Sequence, residues 1–140
     1  MTCYCWGRFW EIGGGLPENR PNLSTGNAED WYNYPDGYER SQTPALGATL
    51  CLADGPFSGD GHVATVEVIN PDGSIVVSES AWGGYYFQTE TLHPPYYLPV
   101  SGYRFMGFIL NPHSGYPPIP GGNFKYWKLK KILRNRRNLL

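Results

Sequence analysis

Long apolar runs are missing from this 140-residue chain, paired cysteines are missing too, and only 16% of its residues are charged. Each absence excludes something. A membrane-spanning helix needs about 20 consecutive apolar residues, and no segment supplies them. Three cysteines, Cys3, Cys5 and Cys51, are an odd number and do not read as a disulfide framework. Cys3 and Cys5 are one residue apart, with no second Cys or His pair at zinc-site spacing, so neither a metal nor another cofactor is called for. The start carries no basic segment followed by an apolar stretch, so the expectation is no signal peptide. A target outside the cell would then be reached by lysis or by assembly into a particle. No internal repeat is visible.

What is present is aromatic and loop-forming. Rings make up 16% of the chain, including 11 Tyr and 5 Trp, beside 18 Gly and 13 Pro. This describes one loop-rich domain with aromatic surface, not a helical bundle. At least half of the rings are expected in the core. Others suit a groove for sugar or peptide, because they bury flat area at little entropic cost. Trp31, Trp82 and Tyr85 are the candidate substrate-binding rings. Charge is segregated: all twelve acids lie between Glu11 and Glu90, and seven of the eleven bases lie in the last sixteen residues. Such asymmetry marks a globular unit with an interaction arm.

Residues 3–12 form one predicted helix, with Ile12, Cys5, Phe9, Trp6, Trp10 and Cys3 on one side and Gly7, Glu11, Tyr4 and Arg8 on the other. Gly13 to Gly15 stop it. Ser24 or Asn27 is placed to cap a short helix through Trp31 and Tyr32. Strands are expected at 48–53, 62–69, 74–80, 85–91 and 103–110, with Asn70-Pro71-Asp72-Gly73 turning the central hairpin. One helix followed by an antiparallel sheet is an α+β layout. The domain is expected over 1–112, with a Pro/Gly linker at 113–123 and a basic amphipathic tail at 124–140.

Thiol chemistry needs a thiolate near a helix start, where unpaired amides favour negative charge, together with a histidine base and a polar residue to hold the imidazole. The parts occur in order: a cysteine on the first helix, His62 opening a strand, and Glu79 on the next strand. Their meeting depends on the hairpin register. If Asn70 pairs with Gly73, Glu79 is the diagonal neighbour of His62, at roughly 7–8 Å between backbones. A bulge at Gly73 would instead turn Glu79 away. Turn chemistry favours the bulge. Burial favours the first register, which gathers Val66, Val68, Ile75 and Val77 on one face, and a slip would cost several buried side chains at ~1.5–3 kcal/mol each. The first register is therefore expected. Read alone, His62 is a surface histidine after a glycine loop and Glu79 a solvent-facing strand residue.

Several blocks point to a family. Tyr4-Cys5-Trp6-Gly7-Arg8-Phe9-Trp10-Glu11-Ile12 resembles the opening helix of CHAP domains, the cysteine, histidine-dependent amidohydrolases/peptidases. Asn22 to Ala28 followed by Trp31-Tyr32, Thr43-Pro44-Ala45-Leu46-Gly47-Ala48, Gly61-His62-Val63-Ala64, Ser78-Glu79-Ser80-Ala81-Trp82, and Tyr103 to Ile109 are similar to later blocks of that family, in the same order. The resemblance covers residues 3 to about 112 and is nearest to phage lysins of Gram-positive hosts. It implies a papain-like α+β fold with the N-terminal helix packed on the sheet, and a peptidoglycan amidase or endopeptidase of phage origin, made in the host cytoplasm and acting on the cell wall. It makes His62 the general base and Glu79 the residue that orients it. The family's nucleophile usually lies five residues before the tryptophan of Trp-Gly-Arg, where this chain has Met1. Three alternatives follow: Cys3 serves after a shift of register, Cys5 serves one turn along the helix, or the nucleophile was lost or lay upstream. Cys3 is the favoured nucleophile, and Cys51 reads as core.

Bacterial peptidoglycan is the expected partner. The tail, with Trp127 among its bases, suits an anionic wall polymer or membrane surface. No base-reading motif supports a specific nucleic acid. The rival class is an inactive CHAP-like module that binds or builds a phage particle.

Overall fold

The computed structural model describes residues 2–56, 59–80 and 86–114. Among the described residues, helix α1 spans Thr2–Ile12, and six strands follow: β1 (Arg40–Ser41), β2 (Thr49–Ala53), β3 (His62–Ile69), β4 (Ile75–Glu79), β5 (Gln88–Leu92) and β6 (Arg104–Ile109). They form one antiparallel sheet in the order β1-β6-β2-β3-β4-β5. This is the expected α+β layout, helix first and sheet after. The linker and tail expected at 113–123 and 124–140 lie, beyond Ser114, outside the described residues.

Alternation along the strands separates two cores. Leu50, Leu52, Ala64, Val66, Ile75 and Val77 pack on one face with Tyr97, Tyr103 and Phe108. Cys51, Val63 and Ile109 pack on the other with Cys5 and Phe9 of α1 and with Leu23, Ala28 and Trp31 from the loop region. Trp31, a candidate groove ring in the sequence, is fully buried there and packs in this core. Its segment forms a short 3-10 turn at Ala28–Asp30, and Asn27 at its start makes no side-chain cap bond.

The helix faces the sheet with part of its predicted apolar side, Cys5 and Phe9, and is rotated toward Arg8 from the other side. Cys5, Arg8 and Phe9 are buried, whereas Cys3 is exposed. Arg8 faces inward because Glu67 on β3 meets it with two hydrogen bonds, Nε to Oε1 at 2.8 Å and an Nη nitrogen to Oε2 at 3.1 Å. Ser78 donates to the same Glu67 Oε1 at 2.8 Å and Tyr4 donates to Ser78 at 2.9 Å, so every polar group of this contact is answered. Asn111, just after β6, donates from its side chain to the Phe9 carbonyl at 3.0 Å and holds the far part of the helix.

Both hairpin registers occur in the β3–β4 pair. At the turn, Ile69 pairs with Ile75 and Val68 with Val76. Gly73 sits at φ 86° and donates to the Asn70 carbonyl at 3.0 Å, the bulged turn that the sequence chemistry favours. A β-bulge between Val66 and Val68 then shifts the ladder, so that Val66 pairs with Val77 and Thr65 with Ser78. Turn chemistry governs one end and burial the other, with Glu67 at the change.

Candidate functional site

His62 is the first residue of β3, and its position depends on the glycine before it. Gly61 has φ 76°, and a Cβ there would lie 2.5 Å from the Leu52 carbonyl oxygen and 2.8 Å from the Glu29 nitrogen. Only glycine fits so tight an approach. The loop is held further by Glu29 N–H donating to the Asp60 carbonyl at 3.0 Å. His62 then pairs with Leu52 of β2 and shares the face of Ala64 and Val66.

Beyond the bulge, the ladder carries Glu79 to the same face, beside Val77. His62 Nε2 and Glu79 Oε2 lie 2.5 Å apart, and the two side chains are 1% and 0% exposed. That exposure removes both from solvent, where the sequence alone suggested two surface residues. Gln88, opposite Glu79 on β5, donates to its Oε1 at 2.8 Å. Burial alone would raise the Glu79 carboxyl, but hydrogen bonds from His62 and Glu90, the nearby His62 charge and the Gln88 amide hold it below the ordinary carboxylate range. The Tyr103 ring lies 6.1 Å from that of His62, and burial together with the Glu79 charge raises its phenol.

With Nε2 directed at a carboxylate, the proton of a neutral imidazole is held on Nε2. The lone pair then belongs to Nδ1, the nitrogen that could take a proton from a thiol and return it. The sheet therefore holds an oriented imidazole.

The cysteines stand differently. Cys5 is fully buried, its thiol donates to the Val63 carbonyl at 3.4 Å, and burial pushes it up to about 12. It sits beside the residue that follows His62, as a packed side chain rather than a reactive one. Cys51 is likewise buried with its thiol raised, in keeping with the core role expected of it. Cys3, two residues before Cys5 on a helix with about 100° per residue, projects from the side away from the sheet and is exposed. Trp82 and Tyr85 lie outside the described residues. Among the described residues, no group of three or more His, Cys, Asp or Glu side chains is arranged to hold a metal ion.

Glu90 on β5 was not among the sequence candidates. Gln88, Glu90 and Leu92 alternate with the exposed Thr89 and Thr91, so the strand turns Glu90 toward the Glu79 face. The period-2 pattern ending in buried Leu92 is the signal that could have found it.

Residues 2–81 match the CHAP domain family, more than half of the chain. The N-acetylmuramoyl-L-alanine amidase sle1 of Staphylococcus epidermidis is 38% identical over 87 residues, which cover 59% of this chain and 26% of the relative. The probable autolysin LDP of Staphylococcus aureus is 43% identical over 63 residues, covering 43% and 21%. The probable autolysin SsaALP of the same species is 38% identical over 73 residues, covering 51% and 25%. The chain thus spans about a quarter or less of the length of these relatives. No solved structure matches it.

Proposed function

The chain belongs to the CHAP domain family, and we propose that it hydrolyses an amide bond of bacterial peptidoglycan with His62 as general base and Glu79 as its orienting carboxylate. The observation that carries this reading is the buried His62–Glu79 contact, fixed on its far side by Gln88. Burying a histidine and a carboxylate costs several kcal/mol unless each is answered by a partner, and apolar residues of similar volume would serve a core at least as well. Relatives named as autolysins and as an N-acetylmuramoyl-L-alanine amidase support the wall as substrate.

In this reading Cys3 is the nucleophile. It is exposed and lies in the first turn of α1. The thiolate attacks the amide carbonyl, and the proton taken by His62 passes to the leaving amine. Water then releases the acyl group from sulfur. Cys5, buried with its thiol near 12, is assigned to packing.

A second reading is favoured by one specific observation: Cys3 projects from the side of α1 away from the sheet that carries the pair. A CHAP-like module that binds wall without cutting it, including one built into a phage particle, would have this arrangement.

The test is digestion of purified Gram-positive peptidoglycan, with mass spectrometry of the fragments, by the wild type and by Cys3→Ala, Cys5→Ala and His62→Ala. The hydrolase reading predicts new amine and carboxyl termini from the wild type and from Cys5→Ala, and none from the other two. Wall binding without new termini by the wild type would establish the second reading.

A further inference from the structure

Besides His62, a second ionisable side chain stands next to Glu79. In the β4–β5 ladder Gln88 stands opposite Glu79 and Glu90 opposite Val77, so Glu90 is the diagonal neighbour of Glu79 on the same face. Each carboxyl shifts the proton affinity of the other, so the two lie within each other's reach. Two carboxyls so placed can hydrogen-bond only if one of them carries a proton, since each is otherwise an acceptor alone. Glu90 Oε2 is buried and has no hydrogen-bond partner among the described residues, which leaves that oxygen to be answered by a proton of its own.

We propose that Glu90 is a positioning residue of this site, a protonated carboxyl that donates to Glu79 and, through it, fixes the orientation of His62. The inference rests on the hydrolase reading for its catalytic consequence, but not for the proton-sharing itself. Among the described residues, the groups facing this carboxyl pair include His62 from β3, Gln88 from β5 and the Tyr103 phenol, with the Cys5 thiol of α1 within its field. None of these four offers a guanidinium to the pair as Arg8 does to Glu67.

The proton's location follows from the surroundings. Glu79 receives donors from His62 and Gln88, which favour its ionised form, whereas Glu90 is desolvated beside that negative charge. Burial first, and then the hydrogen bond and charge of Glu79, push Glu90 up to about 8. At neutral pH Glu79 is thus a carboxylate with three donors, from His62, Gln88 and Glu90. Above about pH 8 the Glu90 proton is lost to solvent and a second negative charge appears next to Glu79. Donation from Glu90 to Glu79 ends at the same time.

The experiment is an NMR titration of the His62 ring between pH 5 and 10, in the whole chain without substrate, for the wild type, Glu90→Gln and Glu90→Leu. Peptidoglycan hydrolysis is measured alongside. The wild type should show a step in the His62 resonances near pH 8 that both variants lack. Glu90→Leu should lower the hydrolytic rate roughly tenfold, the low end for losing a hydrogen bond to a charged group. Glu90→Gln keeps a donor and should recover most of that loss. A His62 titration unchanged in Glu90→Gln overturns the proposal whatever the activity, and so does a Glu90→Gln no better than Glu90→Leu in an active enzyme. The step near pH 8 in a protein that never cuts peptidoglycan would leave the shared proton standing and overturn the hydrolase reading alone.

Discussion

Strands β3 and β4 carry buried charge on both of their faces, and the two clusters are built on opposite plans. Under α1, Arg8 meets Glu67 with a bidentate contact, Ser78 and Tyr4 complete the hydrogen bonding, and charge is balanced within the cluster. On the other face, Glu79 lies beside His62, and a second acid, Glu90, stands diagonal to Glu79 on β5. The first arrangement has no state other than ionised: burial lowers the guanidinium, but pairing with Glu67 more than reverses it. The second titrates in the range where enzymes work. A balanced pair docks the helix, while the acid-rich cluster is the one proposed to hold a movable proton, so the same strands would serve as scaffold on one side and as chemistry on the other.

The contrast breaks most visibly at Glu67. Glu67→Ala leaves the Arg8 charge buried without its main partner and should cost about 3–5 kcal/mol in urea unfolding. A cost under about 1 kcal/mol would show that the helix does not depend on that contact. Glu79→Gln should do the reverse. It keeps the shape and an acceptor for His62, so its effect belongs in the hydrolytic rate, lowered about 10²-fold, more than in stability. Equal losses of stability at Glu67 and Glu79 would erase the distinction between the faces.

Thiol labelling sharpens the comparison at the helix. In native protein at neutral pH, Cys3 should react readily, and Cys5 and Cys51 only after unfolding, because burial raises both thiols. Fast native labelling of Cys5 would contradict its assignment to packing.

The pH dependence of stability should carry opposite signs at the two acids. The folded protein holds Glu79 below the ordinary carboxylate range, so its contribution is present above that range and is lost as pH falls. Glu90 is raised to about 8, so its contribution is full at low pH and is lost as pH rises from the ordinary carboxylate range to about 8. Glu90→Gln should flatten the alkaline part of the stability curve and leave the acid part. The smallest effect belongs to Glu11, whose bond to Arg8 at 2.7 Å sits on an acid that is 62% exposed. Glu11→Gln should change stability by less than about 0.5 kcal/mol.

Much of this was legible in the residues. The strand His62–Ile69 begins and ends where its alternation does, and α1 stops at its glycines. The hairpin was legible in each half but not as a whole, since a single register was sought where a bulge allows two. The side of α1 that faces the sheet was legible only in part, because a buried arginine depends on Glu67, 59 residues away. Trp31 illustrates the same limit: an indole suits groove or core equally, and only the packing of Cys5, Val63 and Ile109 around it decides. The two-residue β1 has too few positions to show a period. Glu90 was hidden by chemistry rather than by pattern, because a glutamate on an edge strand reads as solvated until its neighbour is known to be another acid.

The most direct test of the central claim is the rate of new amine termini released from purified Gram-positive peptidoglycan by wild type and by His62→Ala, both shown to be folded by circular dichroism. The account predicts measurable release by the wild type and a fall of at least about 10²-fold in the variant. Equal rates in the two proteins would contradict it, because the buried His62–Glu79 contact would then be a feature of the core and not the base of an enzyme.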